Sequence, residues 1–325
     1  MSVGRGAGGG LTGCLADTLA ALCRLVVRGL ALAWLAIMPG QAAAAQAVVV
    51  LSDDSAPYQE VYQVIRAYLD DSGHTLTRLY VSGLKSASLN DARLVIPVGV
   101  RASEALAEQS FRQPVLAVLV PRAWYAGNGH AQLTDGGRRS ASAIYIDQPF
   151  DRQARLIRQA FPELRRVGVL LSEGQGELLT EIEDALRAQR LALVSRTLVK
   201  EERLIKPLEK LLSESELLLA VPDSQVFNRN TAQSLFLTSY RYRDPVLGYS
   251  DSLTRAGALL SLYSSPAQIA RQAAEWARVA LDAPSVRLPA PSHPVYFSVS
   301  VNDQVARSLG FTLPAEAKLE KALGR

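Results

Sequence analysis

Apolar and polar positions along this chain alternate between two patterns. Ala47-Val48-Val49-Val50-Leu51 is an unbroken apolar run, as expected of a strand buried on both faces of a parallel sheet. Ser52-Asp53-Asp54-Ser55 follows, and Pro57 suits the first turn of a helix. Tyr58, Val61, Tyr62, Ile65 and Leu69 then share one helical face, with Gly73 as a stop. The unit repeats. Strands are predicted at Leu76–Val81, Arg93–Val98, Val115–Val120 and Ala143–Ile146. A second series follows at Val167–Leu171, Leu191–Leu198, Leu217–Val221 and Pro245–Tyr249, with Tyr296–Val301 near the end. Helical stripes lie between them: Phe150, Ala154, Ile157 and Phe161, then Leu178, Ile182 and Leu186, then Leu204, Leu208 and Leu211. Ser265-Pro266 opens a long Ala-rich helix towards Leu281. Repeated strand–helix units predict an α/β fold with two Rossmann-like lobes, each a parallel sheet flanked by helices. The polar stretch 123–142 reads as a loop that ends the first series, and the second begins near Asp147.

The first 45 residues follow neither pattern. Arg5, Arg24 and Arg28 precede an apolar stretch from Gly29 to Met38, Pro39-Gly40 breaks it, and small residues run to Ala45. That order predicts a secretory signal peptide cleaved near Ala45, because a membrane span needs about 20 apolar residues. An uncleaved anchor is the rival reading. Cys14 and Cys23 both lie here, so residues 46–325 contain no cysteine and no disulfide is expected. Cys23 follows bulky Leu22, which does not suit lipid attachment. The implied location is the periplasm.

Length and charge narrow the function. A chain of 325 residues is long enough for two domains, and 48% hydrophobic with 20% charged residues excludes a disordered chain or a coiled coil. The net charge of +4 is spread over 35 basic and 31 acidic residues, too balanced for a nucleic-acid binder. Catalytic patterns are missing. Gly248-Tyr249-Ser250-Asp251-Ser252 lacks the second glycine of a nucleophile elbow, and His74, His130 and His293 are far apart. Gly174-Gln175-Gly176 follows a strand, but Leu179 stands where a dinucleotide fingerprint wants a small residue. No enzyme, cofactor or metal site is expected. The arginines Arg152, Arg155, Arg158, Arg165 and Arg166 read as a solvated face.

Ligands of open α/β sheets sit beyond the carboxyl ends of the strands. The candidates are therefore Ser52 and Asp53, then Gly99, Arg101 and Ala102, then Arg122, Ser172, Glu173, Asp223, Ser250 and Asp251. Each Ser or Asp among them could instead be a helix cap. Two sheets that both end in such loops describe a cleft between lobes.

With these elements in place, the chain resembles the ABC-transporter substrate-binding proteins exemplified by tryptophan/tyrosine-binding lipoproteins, within the type I periplasmic binding proteins. The strings that carry the resemblance are Ile96-Pro97-Val98-Gly99-Val100-Arg101-Ala102, Phe161-Pro162-Glu163-Leu164-Arg165-Arg166-Val167, Leu217-Leu218-Leu219-Ala220-Val221-Pro222-Asp223-Ser224, Pro245-Val246-Leu247-Gly248-Tyr249-Ser250-Asp251 with Arg255-Ala256-Gly257-Ala258-Leu259, and Val301-Asn302 with Leu309-Gly310. The resemblance implies two hinged lobes joined by three crossings, with residues 46–146 plus about 252–285 in the first and about 147–251 plus 286–325 in the second. It implies that Gly99 and Ala102 offer backbone groups to a small ligand, that Ser172 and Glu173 face it, and that Asp223 accepts its amine. On that reading Asp223→Ala abolishes binding and leaves the melting temperature nearly unchanged. The partner implied is an ABC permease, or a membrane sensor protein if the fold serves signalling, and the chain would act as a monomer. Three departures bear on the ligand, one being that Ser172-Glu173-Gly174-Gln175-Gly176 replaces the family's second-lobe turn. The stretch from Val81 to Arg93 is short, and Arg122 stands where the family has an acidic turn, so that Arg101 and Arg122 could favour a small anion.

Overall fold

A computed structural model describes residues 46–199, 203–228 and 230–324. The predicted leader lies outside the described residues. The first sheet contains β1 (Gln46–Leu51), β2 (Thr75–Tyr80), β3 (Leu94–Val98), β4 (Val115–Val120) and β5 (Ala141–Tyr145). It is wholly parallel, in the order β2-β1-β3-β4-β5. The second contains β6 (Arg166–Ser172), β7 (Ala192–Leu198), β8 (Leu217–Leu219), β9 (Val246–Gly248), β10 (Leu260–Tyr263) and β11 (Ser298–Val301). Its order is β11-β10-β9-β8-β6-β7, parallel except for β11. The helices are α1 (Ala56–Asp71), α2 (Val100–Ala107), α3 (Phe150–Ala160), α4 (Gly176–Ala188), α5 (Ile205–Leu212), α6 (Ala232–Tyr242), α7 (Asp251–Ala256), α8 (Pro266–Asp282), α9 (Asp303–Leu309) and α10 (Glu316–Ala322). Among the described residues, no helix is long and apolar enough to cross a membrane.

The uninterrupted apolar strands are buried because helices cover both faces of each sheet. On one face of the first sheet, Ile65 and Leu69 of α1 and Ile269, Ala273 and Ala277 of α8 pack on Val49 and Ile96. The small alanines of α8 let the two helices approach closely. Its start is fixed by a reciprocal cap between Ser265 and Gln268. Its end is held by Arg93, which donates to the carbonyls of Leu281, Ala283 and Pro284 at 2.9, 2.6 and 3.2 Å. The other face is covered by α2 and by residues 122–134. In the second lobe, α3, α4 and α10 cover one face, and α5 and α6 the other.

Three expectations change. Residues 252–263 do not return to the first lobe. Leu260–Tyr263 pairs with β9 and β11 in the second sheet, so the second crossing lies at Ser264-Ser265. Ser261, fully buried in this strand and bonded to Thr254, makes the run look less strand-like in sequence than it is. The third crossing also falls later than residue 286. Val286 and Leu288 still pack on the first core, and Ser292 bridges to Ile144. Finally, most of the stretch 123–142 is not a loop. Arg122–Trp124 is α-helical, Tyr125–Gly129 forms a π-turn and His130–Thr134 is α-helical again. Glycine is required at position 129, where a Cβ would lie 2.5 Å from the Trp124 ring.

Side chains stitch the crossings together. Gln148 donates to the Ser264 hydroxyl at 2.8 Å, and Ser264 donates to the carbonyl of Tyr296. Arg152 donates to Gln148 Oε1 and to the carbonyl of Pro294, with its guanidinium 4.3 Å above the Phe297 ring. Burial pushes that guanidinium down to about 10, with Arg155 adding to the shift. This arginine is therefore a hinge brace and not part of a solvated face. Gln272 of α8, fully buried, accepts from Val295 N at 2.8 Å. At the far edge of the second sheet, α10 covers β11. Val301 N and Val299 N donate to the carboxylates of Glu316 and Glu320 at 2.7 and 3.0 Å.

Candidate functional site

Every predicted site residue lies at the carboxyl end of a strand or in the turn or helix start that follows it, but their side chains are used differently. In the first lobe, Ser52 Oγ donates to the carbonyl of Val98 at 2.8 Å and accepts from Ala102 N at 3.0 Å. It ties the end of β1 to the first turn of α2. Gly99 begins that helix at φ 86°, and a Cβ there would lie 2.9 Å from both Ser52 Oγ and the Tyr58 hydroxyl. Glycine is needed for both reasons. Ala102 is fully buried. Asp53 and Arg101 are exposed. Hydrogen bonds from Ser55 hold the Asp53 carboxyl below its ordinary range.

Arg122 is aimed by a kink. Leu119 takes φ 55° at a register shift between β4 and β5, which bends the end of the strand. Arg122 N then donates to Asp147 Oδ2 at 2.6 Å, and its guanidinium pairs with Glu181 in the second turn of α4. That contact joins the loop after β4 to the helix after β6, so the carboxyl ends of the two sheets face each other. It also means that the Arg122 charge has a protein partner.

In the second lobe the candidate residue Asp223 is 7% exposed. Its Oδ2 accepts from Ser172 N and Ser172 Oγ at 2.8 and 2.7 Å, and its Oδ1 accepts from Gln225 N at 2.9 Å. Burial alone would raise this carboxyl. The bonds from Ser172 and Gln225 outweigh burial and hold it below the usual carboxylate range. Glu173 is exposed beside Gly174, which turns the chain at φ 85°. Ser250 caps α7 through Leu253 N at 3.3 Å, and Asp251 pairs with Arg255. Ser52, Ser172, Ser250 and Asp223 are thus all engaged within their own lobes.

The polar search missed an aromatic pair. Phe227 and Tyr249 meet edge to face at 6.2 Å, beside Asp223. Phe227 N donates to the carbonyl of Asp223 at 2.7 Å. Burial raises the Tyr249 phenol, and the Asp223 charge adds to the rise. Tyr249 directly follows β9, which was a signal available in the sequence, whereas Phe227 stands well beyond the end of β8. Glu181 and Asp147 had no such signal, because only the folded chain brings them to Arg122. Among the described residues, no group of three or more His, Cys, Asp or Glu side chains could hold a metal ion.

A cavity of about 440 Å³ lies at the opposite end of the second lobe, lined by Arg158, Arg165 and Arg190. Arg158 spends its donors there on the carbonyls of Pro162, Leu164, Gln189 and Arg190. Its role is to close the carboxyl ends of α3 and α4, which favour cations.

No family model matches the sequence, and no curated protein matches it. Solved structures do match. A conserved domain protein from Vibrio cholerae is 18% identical, with 86% of this chain and 98% of that chain covered and a TM-score of 0.59. An ABC domain in complex with L-Trp from Streptococcus pneumonia is 15% identical, with 86% and 99% covered and a TM-score of 0.56. A ligand-free, open substrate binding protein with adhesive properties from Clostridium difficile is 12% identical, with 83% and 96% covered and a TM-score of 0.66. With the two mostly parallel α/β sheets and the three crossings, these likenesses give the chain the two-lobed fold of the type I periplasmic binding proteins.

Proposed function

We propose that this chain is a periplasmic solute-binding protein of an ABC uptake system. On this reading the leader is cleaved near Ala45, and the mature protein acts as a monomer without catalysis. It holds a small molecule between its lobes and presents it to an inner-membrane permease. The observation that carries the reading is the meeting of two sheets at their carboxyl ends across three stitched crossings. Such a frame can close on a ligand by bending at the crossings. The ABC domain bound to L-Trp and the substrate binding protein among the structural neighbours support the same reading.

Within the site, an ionised Asp223 beside Phe227 and Tyr249 suits a ligand with a cationic amine and an apolar body. Asp53, Arg101 and Glu173 are the exposed charges that would complete the contacts. Arg122 is already matched by Glu181, which weakens the case for an anion. A thermal-shift series of amino acids and small anions on the purified protein tests this. A true ligand at 100 times its Kd stabilises by about 2.7 kcal/mol. Stabilisation by an amine-bearing compound is the expected result, and a flat response to every compound would overturn the proposal.

A further inference from the structure

We propose that Arg122 and Glu181 form a stay between the lobes that favours the angle at which the two are paired. Arg122 belongs to the first lobe and Glu181 to the second, and their ion pair bridges the two beside the first crossing. The arginine does not reach across from a loose loop. The left-handed Leu119 bends the end of β4 towards the first crossing, and Asp147 in that crossing holds Arg122 N at 2.6 Å. With the backbone anchored at the hinge, the guanidinium has a fixed reach, and a rotation of the lobes changes its distance from Glu181. The other groups that act on this corner are Asp147 and Tyr145, whose phenol feels the charges of both Arg122 and Asp147.

The size of the effect follows from exposure. The two side chains are 34% and 40% exposed, so the pair has the modest strength of a surface salt bridge. That is enough to change the ratio of two lobe arrangements by about two- to fivefold, and too little to lock either one. The stay therefore biases the hinge without opposing a ligand whose contacts favour another angle.

Single-molecule energy transfer on the full chain reads this directly. Dyes are placed at the exposed positions Lys85→Cys in the first lobe and Lys210→Cys in the second, in a background with Cys14→Ser and Cys23→Ser. Without added ligand, Glu181→Gln should reduce the population at the dye distance of the paired arrangement by about two- to fivefold relative to the others. Glu181→Arg should reduce it further, through repulsion. The exchanged pair, Arg122→Glu with Glu181→Arg, should restore it, and about 1 M salt should reproduce the Glu181→Gln distribution. An unchanged distribution in Glu181→Arg, or no restoration in the exchanged pair with circular dichroism intact, overturns the proposal. No ligand enters the measurement, so its outcome is independent of whether the cleft binds one.

Discussion

The two ends of the second sheet each bury an aspartate against a serine hydroxyl, with opposite results. At the carboxyl end, Asp223 receives the Ser172 hydroxyl and, in addition, the backbone N–H groups of Ser172 and Gln225. Its carboxyl is held below the usual carboxylate range. At the amino end, Asp244 receives the Ser215 hydroxyl at 2.9 Å. Burial pushes it up to about 6, the Ser215 bond pulls it partly back, and the Glu216 charge adds to the rise. The two side chains are equally exposed, 7% each, but Asp244 is more deeply surrounded and lies beside the Glu216 charge, while Asp223 has the additional backbone donors. Backbone N–H groups, which cannot rotate away, favour the charged form of a buried carboxylate more firmly than a lone hydroxyl does.

The largest expected effect breaks the better-supported side. Asp223→Ala strands three donors and should cost about 2–4 kcal/mol in a urea titration. This revises the expectation from the resemblance, that the same change would leave the melting temperature nearly unchanged. A loss below about 1 kcal/mol would show that the bonds to Ser172 and Gln225 contribute little. Asp244→Asn should act in the opposite direction. The folded carboxyl titrates at about 6, against about 3.9 in the unfolded chain. Between those values the folded state holds a proton that the unfolded state has released. Stability from this group is therefore present near pH 4 and falls as the pH rises to about 6. Removing the charge should stabilise the protein at neutral pH by on the order of 2 kcal/mol and flatten that slope. The smallest effects compare the serines. Ser172→Ala and Ser215→Ala should each cost about 1 kcal/mol at neutral pH. Carboxyl titration followed by NMR should show Asp244 moving upward past 6 in Ser215→Ala, while Asp223 stays ionised on its remaining backbone donors. Equal movement of the two would remove the distinction between hydroxyl and N–H.

Much of the frame was legible in the chain because parallel strands buried on both faces leave continuous apolar runs. Val115–Val120 and the helix opened by Ser265-Pro266 fall where the pattern puts them. Leu260–Tyr263 was less legible, since it is four residues long and carries a buried serine. The helical segment 122–134 was hidden by its glycines and polar residues, although its buried Tyr125 and Leu133 stand two turns apart. The site was legible as a set of loops and illegible as chemistry. A Ser or Asp after a strand looks the same whether it waits for a ligand or, like Ser52, closes the turn. The partner that decides this is remote: Ser172 and Asp223 are 51 positions apart, and Arg122 and Glu181 are 59.

The helix laid along β11 has a consequence for life at high concentration. An uncovered edge strand is a template on which another extended chain can pair. Here the two outward amides are answered by the glutamates of α10, side chains that occupy the positions without offering a next row of donors. Growth of the sheet stops at this boundary, and a crowded population of such molecules lacks one starting point for polymerisation.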